Sequence, residues 1–464
     1  MTHPSHPGLT TSNKSRTGSL IAAAVTIGFA AVVAMWVVWF LTNLPAVATH
    51  VPHSVSGPLI LLVAAAVLLA GCTRLPRNDR LVAGVLAGGI AGLVDLLALG
   101  SQLTAPTKEG SAAPGTSGLV PNAVLIAVCF IAVMCITGLV AGFGARSMGG
   151  QRSARSPREW YASFAMVNAW AILPLLALGG LVTSAKAGFA VPDWPGTYGA
   201  NMLLYPIALM TEPRIFLEHS HRLFGMMVGL TTVAGFVFSL VSGSSGRVKL
   251  TAAGLLALVI LQGIAGGVWT QDKAKWMVIA HGVTGQVFFA LACAHAASVS
   301  GSWLSFRSSD AANTVLRPRA GILVLLGLLF VQLVMGTMAR HLGSKGTHAV
   351  YTHAALAMVI LILGIIVATK MMKLKPTPQH GKSLWLAGHN VLMAIGLQFL
   401  LGWVALIVWY STKDAVAPVS SELATAEAIK PWEVIARTAH QANGALVMGS
   451  SAVMAVWGLA RRKA

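Results

Sequence analysis

Charged residues are scarce in this chain. Asp, Glu, Lys and Arg make up 10% of its 464 residues, where a soluble globular domain carries about 25%. The shortfall excludes a soluble protein. Acids are rarest: 13 Asp and Glu stand against 32 Lys and Arg, a formal net charge of +19. Such a balance can signal nucleic acid, but the chain has no basic helix and no aromatic stacking platform in a soluble segment, so that partner is excluded. Cysteine is rare as well. The four thiols, Cys72, Cys129, Cys135 and Cys293, fall in or at the ends of apolar runs. None lies in a predicted outer loop, so no disulfide is expected there, and buried structural thiols are the expectation.

What remains is apolar. Hydrophobic residues make up 56% of the chain and the mean hydropathy is +0.74. Runs of about 20 apolar residues, the length that crosses a bilayer as a helix, are separated by short charged clusters. About twelve spans are expected, at residues 19–42, 56–72, 81–101, 119–145, 160–184, 215–241, 250–269, 277–299, 319–338, 350–370, 384–410 and 434–460. Lys14 and Arg16 precede the first run, and Ala46-Val47-Ala48 follows it like a small-residue cleavage site. That run is too long for a signal-peptide core of about 7–15 residues, so an uncleaved first span is preferred.

Basic residues crowd every second connection: Arg74, Arg77 and Arg80; Arg146, Arg152, Arg155 and Arg158; Arg247 and Lys249; Arg307, Arg317 and Arg319; Lys370, Lys373, Lys375 and Lys382; then the tail Arg461-Arg462-Lys463. By the positive-inside rule both termini are cytoplasmic. Four histidines then begin spans that enter from the outer face: His221 in LEHSHRLFG, His281 in IAHGVTGQ, His353 in VYTHAALA and His440 in TAHQANGAL. An ionisable residue within the membrane is a functional-site hypothesis by default.

An internal repeat groups them. LGGLVTSAKAG resembles VQLVMGTMARHLG, LEHSHRLFGMMVGL matches AVYTHAALAMVILIL, LQGIAGGVWTQ matches LQFLLGWVALIVWY, and AHGVTGQVFFALA matches AHQANGALVMGSS. Each unit holds four spans, so both copies point the same way, related by an axis along the membrane normal. The expectation is an all-α polytopic membrane protein of two tandem four-helix bundles, residues 156–305 and 306–464, preceded by a four-span region, residues 1–155. The linker MGGQRSARSPRE marks the first boundary. His53 also precedes a second helix in that region, but its fourth span begins VPNAVLIAV without histidine. An accessory bundle is preferred to a degenerate third copy.

Each bundle thus offers two histidines, from its second and fourth helices. Bundle cores are where facing helices build cofactor sites, and two opposed imidazoles suit haem iron. Zinc or copper is disfavoured because no thiol is placed to join the histidines. His219, two residues from His221, should point elsewhere. His341 falls in a loop, His348 aligns poorly with the repeat, and His295 and His389 sit near inner helix ends as structural groups. Glu218 stands one turn before His221, where the other bundle has Val350. A carboxyl there is suited to move protons, or it is an acid favoured by the helix N-terminus. Arg222, Arg340, Lys273 and Lys275 are candidates to pair with haem propionates, or to snorkel to the interface. The loop AVPDWPGTYGANMLLYP is either a lid, with Asp193 and Trp194 its polar and flat elements, or an interfacial loop with aromatic anchors. Gln262 and Gln398 match across the repeat and should join helices by hydrogen bonds. Asp95 lies inside the third span without an assigned role.

Glu218-His219-Ser220-His221-Arg222, the GFAVPDWP loop, His281-Gly282 with Gln286, and His440-Gln441 with Asn443-Gly444-Ala445-Leu446 resemble the heme A synthase family over roughly residues 160–460. That family oxidises a methyl group of haem O to a formyl, giving haem A for terminal oxidases. The resemblance implies that His221 and His281 flank the haem O substrate with Glu218 in catalysis, and that His353 and His440 hold a haem b. It also implies an inner or plasma membrane location, with a haem O synthase and terminal oxidase assembly factors as partners. The chain departs from the family in two ways. Many members have a cysteine pair in the first outer loop, where Ala187 to Tyr205 has none, and the first four spans lie outside the basic pattern. On the residues alone, the alternative is a diheme cytochrome that carries electrons between quinone and an outer partner. A haem transporter lacks the broken-helix pair it would need.

Overall fold

The computed structural model describes residues 8–45, 53–106, 117–148, 150–272, 274–309, 318–374 and 378–460. The Ala46–Ala48 motif, Lys273 and the Arg461–Lys463 tail lie outside these, as does the side chain of His53. Thirteen α-helices account for most of the described chain: α1 (Gly8–Asn43), α2 (His53–Cys72), α3 (Arg80–Leu99), α4 (Ala123–Met148), α5 (Pro157–Ser184), α6 (Pro213–Val241), α7 (Gly246–Asp272), α8 (Lys275–Val299), α9 (Gly301–Ser308), α10 (Arg319–Leu342), α11 (Thr347–Met372), α12 (Pro378–Thr412) and α13 (Pro431–Gly458). Ten segments among the described residues are long and apolar enough to cross a membrane; one of them, Arg319–Met372, contains both α10 and α11, and α13 is not among the ten. Large apolar side chains such as Val124, Phe143, Leu250 and Ile407 stand more than half exposed along these helices. Water would penalise that surface and lipid does not. The protein is a largely α-helical, multi-pass membrane protein.

Local chemistry sets the helix ends. Ser156 and Glu159 form a reciprocal pair at the start of α5: the Ser156 amide donates to Glu159 Oε2 at 2.7 Å and the Glu159 amide to Ser156 Oγ at 3.3 Å, a capping box. Glu212 accepts from the Ile215 amide at 2.9 Å ahead of Pro213, where a missing N–H is harmless. Gly343, at φ +59°, ends α10 in a conformation open to glycine. The fourth span begins later than expected, at Ala123. A short antiparallel hairpin, β1 (Thr104–Pro106) with β2 (Ser117–Leu119), takes up the preceding residues, and Pro121 with Asn122 at φ +62° delays the helix.

The chain divides into two compact units. The first comprises residues up to 167 with 198–216 and 233–249; the second comprises 168–197, 217–232 and 250–464. In the first unit α1 packs on α2 and α3, and α4 on α2 and α3. The α3–α4 contact is built on glycine: a Cβ on Gly84 would overlap the Gly138 carbonyl, and one on Gly88 the Met134 carbonyl. Small residues let membrane helices approach this closely. Arg80 is fully buried there and donates to the carbonyls of Leu75, Ala145 and Gly150 at 3.0, 2.6 and 2.8 Å. Asp95 is also buried, beside Trp36.

In the second unit α10, α11, α12 and α13 pack in a ring, each on the next, with α13 closing on α10. Leu325, Leu329, Ile360, Val367, Val391, Ile395 and Met454 fill its centre. The helix α8 packs on α10 and α13. Of the four free thiols, Cys72 is buried, but Cys129 is exposed. The expectation of burial fails there because α4 presents most of its apolar surface outward, and a thiol in lipid loses little.

Candidate haem-binding site

Four histidines within the first ten residues of α6, α8, α11 and α13 are placed by one local device. Each imidazole rests on a glycine of the preceding helix. A Cβ on Gly179 would lie 3.2 Å from His221 Cε1, on Gly266 3.3 Å from His281 Cε1, on Gly336 2.8 Å from His353 Cε1, and on Gly402 3.4 Å from His440 Cε1. The seat is thus repeated in four helical hairpins, α5–α6, α7–α8, α10–α11 and α12–α13. Glycine gives the room for a flat ring between two helix backbones.

In the second half of the repeat the rings of His353 and His440 meet edge-on, with centres 6.1 Å apart and planes inclined at 75°. Two imidazoles bound to one metal through bonds of about 2 Å place their ring centres about 6 Å apart. The couple therefore fits a haem iron held between them. His353 Nδ1 lies 3.0 Å from the Gln332 carbonyl, which fixes the ring and would leave Nε2 free to hold a metal. His440 lies against the Gln398 amide, with Nε2 of Gln398 3.2 Å from its Nδ1 and 3.3 Å from its Nε2. Gln398 Oε1 accepts from Asn443 Nδ2 at 2.9 Å.

In the first half His221 and His281 are close enough to act on each other electrostatically. Both rings are buried against the backbone carbonyls of Leu175 and Gln262, one on each. Gln262 donates to Thr284 Oγ1, one turn beyond His281. Both glutamines singled out in the sequence thus join helices by hydrogen bonds. Among the described residues no three His, Cys, Asp or Glu side chains gather as a site for a bare metal ion.

Glu218 and Arg222 lie one turn apart on α6 and form a buried ion pair at 2.7 Å. Both also hold the loop that follows α5. Glu218 Oε2 accepts from the Val191 amide at 2.8 Å. Arg222 Nη1 donates to the carbonyls of Asp193 and Gly196 at 2.7 and 2.9 Å, and Nη2 to Val191 at 3.3 Å. The terminal N–H groups of Arg222 are therefore engaged by the loop and by Glu218. The loop in turn covers the end of α7: Phe189 packs on Trp269 with ring centres 5.0 Å apart, Trp194 lies on Gly267, and Gln271 donates to the Trp194 carbonyl at 3.1 Å. His219 points away into Thr197, its Nδ1 3.2 Å from Oγ1.

Arg340 joins three helices. It donates to Gln441 Oε1 on α13 at 2.5 Å, and on α5 to the Gly180 carbonyl at 3.1 Å and Ser184 Oγ at 2.7 Å. Its Nε is buried without a partner. Lys275 is exposed. His341, expected in a loop, sits in the last turn of α10, because the helix continues through Arg340 until Gly343 reverses the backbone. His295 meets Thr251 Oγ1 at 2.8 Å, and His389 stacks on Trp385 at 4.5 Å; both are structural contacts.

The seating glycines escaped sequence reasoning. A signal was present: Gln262, Gln332 and Gln398 each precede a seating glycine by four residues, with Leu175 in the fourth hairpin. One expected result follows. Gly336→Ala pushes a methyl to 2.8 Å from His353, and overpacking of this kind costs about 1–3 kcal/mol. Haem retention at that site should fall roughly tenfold, read as haem per protein in a pyridine haemochrome assay. Gly402→Ala makes an ordinary 3.4 Å contact and should be tolerated.

Residues 162–350 match the family model of the cytochrome oxidase assembly proteins. That stretch, less than half of the chain, runs from α5 into α11; it includes Glu218, His221, Arg222, His281 and Arg340 and stops short of His353 and His440. No curated protein and no solved structure matches the chain.

Proposed function

We propose that the protein is a heme A synthase-type oxidoreductase: it oxidises a methyl group of haem O to a formyl, through an alcohol and then a hydrated aldehyde, in making haem A for terminal oxidases. The observation that carries this reading is the pair of imidazoles 6.1 Å apart in one half of a repeat, with the same glycine-seated histidines in the other half and an acid, Glu218, beside only that other pair. The assembly-protein domain over residues 162–350 supports the same direction, since a terminal oxidase is the consumer of haem A.

In this reading His221 and His281 clasp the haem O substrate, and His353 with His440 hold a resident haem b. Bound haem b supplies reversible one-electron chemistry. The chain's own residues do the rest. The four imidazoles orient two flat macrocycles across facing helices. The loop around Trp194 shields the first couple from water. Overall the change from methyl to formyl takes up the oxygen of one water and gives four protons and four electrons, the electrons passing to a one-electron acceptor outside the chain; Glu218 accepts a proton or steadies developing positive charge near the substrate. Arg222 positions Glu218 and pins the loop. Arg340, with an unpartnered Nε beside Gln441 and His440, is the better placed arginine for a haem carboxylate. On the same reading the chain holds an accessory four-helix unit followed by two four-helix bundles related by a pseudo-two-fold along the membrane normal, with both haems near the outer face and both termini cytoplasmic.

A second reading, a diheme cytochrome between quinone and an outer partner, is favoured by the likeness of the four histidine seats. Production with a haem O source, followed by extraction and mass analysis of the haems, separates the two. A formyl-bearing haem, above a host lacking the protein, supports synthesis. Haem b alone, with haem O unchanged, contradicts it.

A further inference from the structure

At the end of the α10–α11 hairpin away from its histidine, the two helices enclose a cavity of about 360 Å³. Arg319, at the start of α10, and Lys370, in the last turn of α11, line it together with Gly321, Leu363, Ile366 and Val367. Lys370 stands 17 residues beyond His353, or about 25 Å along the helix, so the cavity is no part of the haem site. The helices close on each other at Gly321, where a Cβ would lie 2.8 Å from Val367 Cγ2. Leu363 is half-buried and Ile366 exposed, so the apolar wall runs out to lipid. The two cations at the mouth have no acid to answer them. Residues 311–413 hold no Asp or Glu. Among the described residues the Lys370 ammonium has no ion pair or hydrogen bond, and Arg319 spends one N–H on the Ala460 carbonyl at 3.2 Å.

We infer that this cavity binds an anionic phospholipid: Arg319 and Lys370 hold the headgroup phosphate, and an acyl chain lies along Leu363 and Ile366. The complementarity is of two kinds. A negative head meets two uncompensated cations, the arginine offering paired N–H donors to phosphate oxygens and the lysine a point charge. A hydrocarbon tail meets an apolar wall already open to the bilayer. Free phosphate would satisfy the first and gain nothing from the second. Basic pockets between transmembrane helices on the cytoplasmic side take lipid head groups in this way, and the basic connections of the sequence assign this end of the bundle to that side. A lipid bridging Arg319 and Lys370 ties the start of α10 to the end of α11 and so braces the hairpin against unfolding.

The test uses the purified full chain, stripped of lipid in detergent and titrated with phosphatidylglycerol, phosphatidylcholine or inorganic phosphate. Binding is read by native mass spectrometry and by the rise in unfolding temperature. Phosphatidylglycerol should bind and stabilise the wild type, and the other two should not. Lys370→Gln should weaken phosphatidylglycerol about fivefold, and Arg319→Gln with Lys370→Gln roughly twentyfold. Lys382→Gln, at an exposed cation beside the start of α12 that does not line the cavity, should bind like the wild type. Should the double variant fail to fold, Lys370→Gln decides alone. Wild-type affinity in the folded variants would overturn the inference. So would an equal loss in Lys382→Gln, which would mark a general attraction to the basic end. Equal binding of phosphatidylcholine would remove the role of charge, and equal stabilisation by inorganic phosphate would remove the lipid.

Discussion

Glu218→Gln should cut the output of formyl-bearing haem by about two orders of magnitude or more while haem remains bound, since a positioned proton acceptor contributes roughly 10²–10⁴-fold. The side chain keeps its size, so the amide oxygen of the variant can still accept from the Val191 amide as the carboxylate of Glu218 does. What it loses is the proton-accepting oxygen and the charge opposite Arg222. Extracted haem, analysed by mass for methyl, alcohol and formyl forms, gives the readout, with total haem per protein as the control. Unchanged formyl output would remove Glu218 from the chemistry and leave it as a fastening for the loop.

Arg222→Leu should act differently. It deletes the donors to Val191, Asp193 and Gly196 and strands a carboxylate that is 4% exposed. Removing one partner of a buried ion pair costs about 3–5 kcal/mol. The variant should unfold earlier in detergent and be cut by protease within residues 185–197, while Glu218→Gln, which keeps its bond to Val191, resists cutting. Equal proteolysis in wild type and Arg222→Leu would show that the ion pair does not hold the loop. The two variants separate a proton-transfer role from a fastening role, because only Arg222→Leu preserves the carboxyl.

The transmembrane helices were readable because length and hydropathy are properties of a contiguous stretch: residues 215–241 and 277–299 were expected where α6, Pro213–Val241, and α8, Lys275–Val299, stand. The short helix α9 and the β1–β2 hairpin were not, being too short and too polar to mark a span. The histidines were legible because a polar ring on an apolar helix stands out and the repeat aligns them. Their glycine seats were hidden among 48 glycines, since which glycine meets a ring depends on how two helices pair. Arg222 was a candidate for a haem propionate or for snorkelling to the interface; beside Glu218 it also holds backbone carbonyls 26 to 31 residues upstream, and a carbonyl has no sequence signature. Arg340 was read with the outer-face cations, whereas its bonds to Gln441, Gly180 and Ser184 span two copies of the repeat.

In the proposed function two imidazoles hold each haem, one from either side. The most direct measurement is the low-temperature electron paramagnetic resonance spectrum of the oxidised, haem-loaded protein, compared with His353→Ala and His440→Ala. Two imidazoles on one iron give a low-spin signal. The account predicts that either substitution removes the resident low-spin haem, by converting it to high spin or by emptying the site. A low-spin spectrum and haem content unchanged in both variants would contradict it.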